Sequence, residues 1–230
     1  MVASQVHLVR HGEVFNPDGI LYGRLPGFGL SKLGHKMARK AADDLAARDR
    51  TISALLVSPL QRTQESAAPI AAAFELPIQI EGRIIEPTNH FEGMVMQRAV
   101  KKPRNWPYLV NPFRPSWGEP YSSIVARMRS AIDAAFDSVD DGDVVLVSHQ
   151  LPIWMTHLSV AGEHLFHNPA KRRCNLSSIT TLALRAPEPS SSSDVATGSV
   201  GASDSRVIYE VSYTDPAREL QQDATDVGAV

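Results

Sequence analysis

A three-layer α/β sandwich with a mostly parallel central sheet is the fold this sequence predicts, and three observations carry that expectation. Short apolar runs rich in β-branched residues alternate with longer stretches whose apolar positions recur every three to four residues. One run, Asp143 to Val147, is an almost unbroken block of Val and Leu, as a strand buried on both faces of a parallel sheet requires. The chain has 230 residues, 43% of them hydrophobic, enough to bury one core without disulfide staples.

The elements follow in order. Gln5 to Val9 reads as a first strand ending at Arg10 and His11. Ser31 can cap a helix in which Leu33, Met37, Ala41 and Leu45 form one buried face, running to about Arg48. Ala54 to Val57 is a second strand. Ser58 and Pro59, an N-cap residue and a first-turn proline, then open an alanine-rich helix reaching Phe74. Pro77 to Ile80 is a third strand candidate, Ser123 to Phe136 a long helix, and Asp143 to Val147 a strand behind the turn Asp140-Asp141-Gly142. A helix near Leu151 to Val160 and strands at Ser178 to Leu184 and Arg206 to Tyr213 complete the pattern.

Residues 1–215 are thereby expected to form a single domain. Within it, 94–120 is rich in Pro, Trp, Lys and Arg and reads as an irregular cover. The stretch 187–205, dominated by Ser, Pro, Gly and Ala, reads as a mobile loop, and 216–230 as a disordered tail.

Composition narrows the function. Lys plus Arg total 23 against 25 Asp plus Glu, so no net basic field recruits nucleic acid or an anionic membrane, and any anion specificity must be local. Cys174 is the only cysteine, which excludes an intramolecular disulfide framework. Neither a signal-peptide core nor a membrane-spanning run is visible, and a cytoplasmic location is the default expectation.

Ligands of open α/β sheets bind beyond the carboxyl ends of the strands. There the first strand delivers Arg10-His11-Gly12, the second Ser58 to Arg62, and the Asp143 strand Ser148-His149. Two guanidinium groups and two imidazoles converging on one crevice, without a cysteine or a close carboxylate pair, suit a tetrahedral dianion. Arginine's planar fork matches phosphate oxygens, whereas two arginines would repel a metal cation. No metal and no cofactor are therefore expected. Gly12 fits the same picture if its backbone N–H approaches an oxyanion, and the start of the Ser58 helix would add a positive end.

Four blocks in order, Leu8-Val9-Arg10-His11-Gly12-Glu13, Ser58-Pro59-Leu60-Gln61-Arg62-Thr63, Glu86 with Glu92-Gly93, and Val147-Ser148-His149, resemble the histidine phosphatase superfamily, also called phosphoglycerate mutase-like. The resemblance spans roughly residues 5 to 184. It implies that His11 is the nucleophile, that Arg10, Arg62 and His149 hold the phosphoryl oxygens, and that Glu86 is the proton donor. Glu92 competes with Glu86 for that role. Asn16, Tyr22 and Arg24 fall on the loop after the nucleophile, where family members contact substrate or phosphate; a plain surface turn is the rival reading. Glu13 is expected to partner a neighbouring cation, and His7 to be core.

Mutases and phosphatases of this superfamily share the core. Glu86 is followed by Pro87-Thr88-Asn89-His90-Phe91-Glu92-Gly93, which departs from the Arg-His-Tyr-Gly-like stretch of the mutases, and Gly118-Glu119-Pro120 keeps two positions of a Gly-Glu-Ser block common among the phosphatases. The phosphatase branch is therefore expected, acting through a phosphohistidine on a small phosphorylated metabolite. Mutase-type phosphoryl transfer and a catalytically weak phosphate-binding module are the alternatives.

Two other groups of residues invite different functions. His90, His157, His164 and His167 come without matching carboxylates or cysteines, although His164 and His167 could share a helix face. Lys101, Lys102 and Arg104, interleaved with Trp106 and Tyr108, resemble a nucleic-acid patch but read better as a solvated cover whose cations could select an acidic substrate.

Overall fold

The computed structural model describes residues 2–110, 116–185 and 206–226. Six strands form one sheet in the order β3-β2-β4-β1-β5-β6: β1 (Val6–Arg10), β2 (Ile52–Val57), β3 (Ile78–Ile80), β4 (Asp143–Ser148), β5 (Ile179–Leu184) and β6 (Ile208–Thr214). β1, β2, β3 and β4 run parallel, while β5 pairs antiparallel with β1 and β6 antiparallel with β5. Every residue of β1 and β4 is buried, because both lie at the centre with helices on each face.

Side chains alternate between faces, so each central strand feeds two cores. Val6, Leu8, Val144 and Leu146 meet α4 (Tyr121–Phe136) and α5 (Gln150–Val160) through Ile124, Met128, Phe136 and Met155. Val9, Val145 and Val147, with Leu55 and Val57, meet α1 (Lys32–Ala46) and α2 (Gln61–Phe74) through Ala41, Leu45 and Ile70. The three-layer sandwich is the expected one. Ser31 caps α1 by accepting from the Gly34 N–H at 2.9 Å.

Two local departures bear on the site. The first concerns α2, which begins at Gln61 with Leu60 at its N-cap and no side-chain cap, rather than at Ser58. Ser58 instead stays in line with β2, fully buried, and its hydroxyl is taken by His149 Nε2 at 2.7 Å. A buried imidazole left without that partner would cost more than an uncapped helix start.

The second concerns the residues after Pro216. The expected disordered tail is ordered as far as Asp226: a 3-10 helix, Arg218–Asp223, packs Ala217 and Leu220, with Ala224, against Met37 and Leu176. Three apolar residues at three-to-four spacing offset the ordering cost that the polar composition suggested. The Ser-rich stretch 187–205 lies outside the described residues.

The cover contains two short helices, α3 (Met96–Ala99) and a 3-10 turn, Pro103–Leu109. Phe91 and Ala99, with Met94 and Trp117, bury Leu21 of the loop after β1 and form a small core above the sheet. His164 and His167 share no helix face, because α5 has ended and Gly162 turns the chain at φ +70°.

Candidate active site

Register sets the site. Arg10 of β1 lies opposite Ser148 of β4, and Val57 of β2 opposite Val147, so the three strands end side by side. His11, Ser58 and His149 are the next residues. The rings of His11 and His149 lie 5.3 Å apart, edge to face.

His11 is 1% exposed, and its Nδ1 contacts the Gly12 carbonyl at 2.8 Å. A carbonyl oxygen only accepts, so Nδ1 carries the proton and Nε2 keeps a lone pair. Burial, reinforced by the charges of Arg62 and Arg10, holds this imidazole well below its ordinary pKa. It is therefore neutral at neutral pH.

His149 is fully buried and depressed in the same direction, first by burial and then by Arg62. Its Nδ1 lies 3.5 Å from Glu86 Oε2, beyond good hydrogen-bond range, and has no hydrogen-bond partner among the described residues. A Ser58 hydroxyl donating to Nε2 leaves Nδ1–H as a donor for an incoming acceptor.

Arg10 and Arg62 are both buried to within 1% of full exclusion. The Arg62 Nη2 donates to the Gly23 carbonyl at 2.7 Å, and its guanidinium sits 4.7 Å above the Tyr22 ring. Arg10 Nη1 donates to the Cys174 carbonyl at 2.7 Å and to Asp226 Oδ2 at 2.9 Å. Each arginine retains a buried Nε with no hydrogen-bond partner among the described residues.

Glu86 follows the short 3-10 turn Gly82–Ile84, which Ser148 Oγ tethers by donating to the Ile84 carbonyl at 2.7 Å. It is 7% exposed. Burial pushes its carboxyl above the ordinary range, against the opposing pull of Arg62, Arg10, Arg172 and Arg127. Beside it opens a cleft with about 370 Å³ of empty space, its open mouth included, lined by Leu21, Trp117, Glu119, Tyr121 and Leu151.

Glu92 is committed elsewhere: its Oε1 accepts the Arg24 backbone N–H at 3.1 Å. Arg24 in turn donates from Nε to the Glu86 carbonyl at 2.5 Å, so the loop after β1 and the acid segment are tied together. The Asn16 amide bonds both the N–H and the carbonyl of Ile20, at 3.2 and 2.8 Å, and braces its own loop.

Gly12 serves a different contact from the one expected. Its N–H donates to Ser66 Oγ at 3.0 Å, which removes it as a donor to an anion. A Cβ here would lie 2.4 Å from the Gly34 carbonyl oxygen, so glycine is required by the approach of α1. Among the described residues Glu13 likewise partners no cation; it accepts the Ser31 hydroxyl and the Thr225 N–H.

The cover cations stand apart from the cleft. Lys101, Lys102 and Arg104 are exposed and absent from its lining, while Tyr108 stacks on His90 at 3.5 Å between ring centroids. The cations that act on Glu86 are the arginines already named and Arg172, which donates to His167 Nε2 at 2.8 Å. His157 pairs with Glu210, so the four scattered histidines form no cluster.

The histidine phosphatase superfamily (branch 1) model matches residues 6–192. The chain belongs to that superfamily. The Mycobacterium tuberculosis protein Rv0525 is 52% identical over 182 residues, covering 78% of this chain and 89% of the relative. Phosphoserine phosphatase 1 of Hydrogenobacter thermophilus is 30% identical over 165 residues, covering 69% of this chain and 76% of that protein. Among solved structures, the native mycobacterial glucosyl-3-phosphoglycerate phosphatase Rv2419c superposes with a TM-score of 0.64 at 23% identity, over 79% of this chain and 90% of that one, and shows the same fold.

This histidine phosphatase superfamily chain thus brings both histidines, both arginines and Glu86 together as one buried cluster. Sequence reasoning missed Ser58 as a partner of His149, and it missed Arg127, Arg172 and Asp226. Ser58 was in view, but its position after a strand and before a proline reads as a cap. Nothing local marks Asp226, which is 216 residues from Arg10.

Proposed function

We propose that the protein is a phosphomonoester hydrolase that works through a phosphohistidine at His11. One observation carries the reading: beside a neutral His11, Arg10 Nε, Arg62 Nε and His149 Nδ1 are buried with no hydrogen-bond partner among the described residues. Buried donors left unpaired each cost about 1–3 kcal/mol, and a ligand rich in acceptor oxygens would repay them.

In the first step the Nε2 lone pair of His11 attacks phosphorus, and the bond from phosphorus to the ester oxygen breaks. That oxygen takes the proton of Glu86, so an alcohol leaves. In the second step the Glu86 carboxylate takes a proton from water, whose oxygen attacks phosphorus. The P–N bond returns its electron pair to Nε2, and inorganic phosphate departs. Arg10, Arg62 and His149 would hold the equatorial oxygens throughout.

The acid role suits a carboxyl held above its ordinary range, because it must be protonated when the ester arrives. The alcohol portion would lie toward the cleft beside Glu86, whose wall mixes Leu21, Trp117, Tyr121 and Leu151 with Asn89 and Glu119. Relatives named as phosphoserine and glucosyl-3-phosphoglycerate phosphatases support the choice of hydrolysis. A panel of phosphomonoesters that includes 3-phosphoglycerate, run beside the His11→Ala variant, tests it. Phosphate release that disappears in the variant is expected; efficient isomerisation of 3-phosphoglycerate without release would assign a mutase instead.

A further inference from the structure

Asp226 belongs to none of the motifs discussed above, yet its carboxylate engages both terminal nitrogens of Arg10. Oδ1 accepts from Nη2 at 2.5 Å and Oδ2 from Nη1 at 2.9 Å, a bidentate pair on a fully buried guanidinium. The segment that brings it there is anchored three times. Ala217 and Leu220 pack on Met37 and Leu176, Gln221 Nε2 donates to the Leu176 carbonyl at 2.9 Å, and the Thr225 N–H donates to Glu13 Oε1 at 2.6 Å. Glu13 lies two residues beyond His11, so the segment grips the nucleophile's own loop.

We propose that Asp226 is a positioning residue: it clamps the outer edge of the Arg10 guanidinium so that the remaining donors of Arg10 stay fixed for phosphoryl oxygens. The inference rests on the reading of Arg10 as a phosphoryl ligand. Arginine loses rotamer entropy when its long side chain is fixed, and a partner that immobilises the fork before substrate arrives removes that cost from the binding step. The carboxylate also offsets the cost of burying a cation beside a second one, Arg62. Among the described residues Arg10 Nε remains unpartnered while the clamp is closed, which leaves it as a donor for a phosphoryl oxygen.

A rival reading makes the same carboxylate a stand-in for phosphate that must be expelled, and the two differ in sign. Removing a clamp weakens anion binding and turnover, whereas removing a competitor strengthens both. Asp226→Ala and Asp226→Asn should lower kcat/KM for a phosphomonoester by about tenfold to a hundredfold and raise the inhibition constant of orthovanadate by a similar factor. Asp226→Glu should recover part of both. Asp223→Asn, an exposed change on the same segment, should alter neither and controls for net charge. Asp226→Ala should also lower the unfolding midpoint, because it leaves the buried Arg10 guanidinium without its carboxylate, so the constants are measured well below the midpoint of every variant, and the partial recovery in Asp226→Glu separates clamping from folding.

Unchanged constants in Asp226→Ala, or tighter vanadate binding with faster turnover, would overturn the clamp while leaving the hydrolase reading intact. A parent protein that neither turns over any ester nor binds vanadate would overturn the hydrolase reading, and the clamp with it.

Discussion

At the amino ends of β1 and β4, His7 and Asp143 are as deeply buried as His11 and His149 are beyond the carboxyl ends of the same strands. At the amino end every group has a partner: His7 bonds Asp143 and Thr181, each at 3.0 Å, and Arg50 grips both Asp143 oxygens at 2.5 and 2.7 Å. At the carboxyl end His149 Nδ1, Arg10 Nε and Arg62 Nε have none among the described residues. The strands are the same and the burial is the same, so location in the core does not separate the two clusters. Pairing does. A satisfied polar cluster has spent its hydrogen bonds on the fold, whereas an unsatisfied one retains them for a ligand.

Substitutions that break this contrast should fall on different measurements at the two ends. His11→Ala should have the largest effect, a loss in kcat of at least about 10⁴-fold, with the unfolding midpoint little changed. Steady-state phosphate release and thermal melts read both. Next comes Arg62→Ala, which removes a fixed charge and should cost about 10²–10³-fold in kcat.

Glu86→Gln sharpens the comparison through its dependence on leaving group. The loss should be on the order of 10²-fold or more for an alkyl phosphate, whose alkoxide needs a proton, and much smaller for p-nitrophenyl phosphate. The pH dependence follows in sign. Glu86 must be protonated for the first step, so kcat/KM should fall as pH rises through its elevated pKa, and Glu86→Gln should lose that limb. Because His11 is held well below 6.5, protonation of the nucleophile should not depress activity near pH 6.

At the amino end the expected change is in stability and not in rate. Burial alone would raise the Asp143 carboxyl, but its hydrogen bonds from Arg50 and His7 outweigh that and hold it at about 2. A depressed carboxyl contributes stability above its unfolded pKa of about 3.9, and that contribution is lost as pH falls from there through about 2. Asp143→Asn should cost about 3–5 kcal/mol in denaturant titrations at neutral pH, since it strands buried partners, and should leave kcat of the folded fraction unchanged. A kcat loss comparable to that of Arg62→Ala would erase the distinction between the two ends.

The fold was legible because its signals are local. Val144 to Val147 and the Leu33-Met37-Ala41-Leu45 stripe announce a buried strand and an amphipathic helix, and the structure places them so. Arg10, His11, Arg62 and His149 were legible because strand ends in a parallel sheet are known to meet. What failed were judgements needing a distant partner. Ser58 looks like a cap until His149 is beside it, and Gly12 looks like an anion donor until Ser66 takes its N–H. Residues 216–226 look too polar to order until Met37 and Leu176 supply a surface for Ala217 and Leu220.

The central claim is that a phosphoryl group rests on His11 Nε2 during turnover. The most direct measurement is rapid quenching with a ³²P-labelled phosphomonoester under alkaline conditions, followed by peptide mapping without acid. The account predicts an acid-labile label on the peptide containing His11, appearing and decaying within a turnover and absent in His11→Ala. Turnover with no label at residue 11 at any time, or a label that persists in His11→Ala, would contradict it.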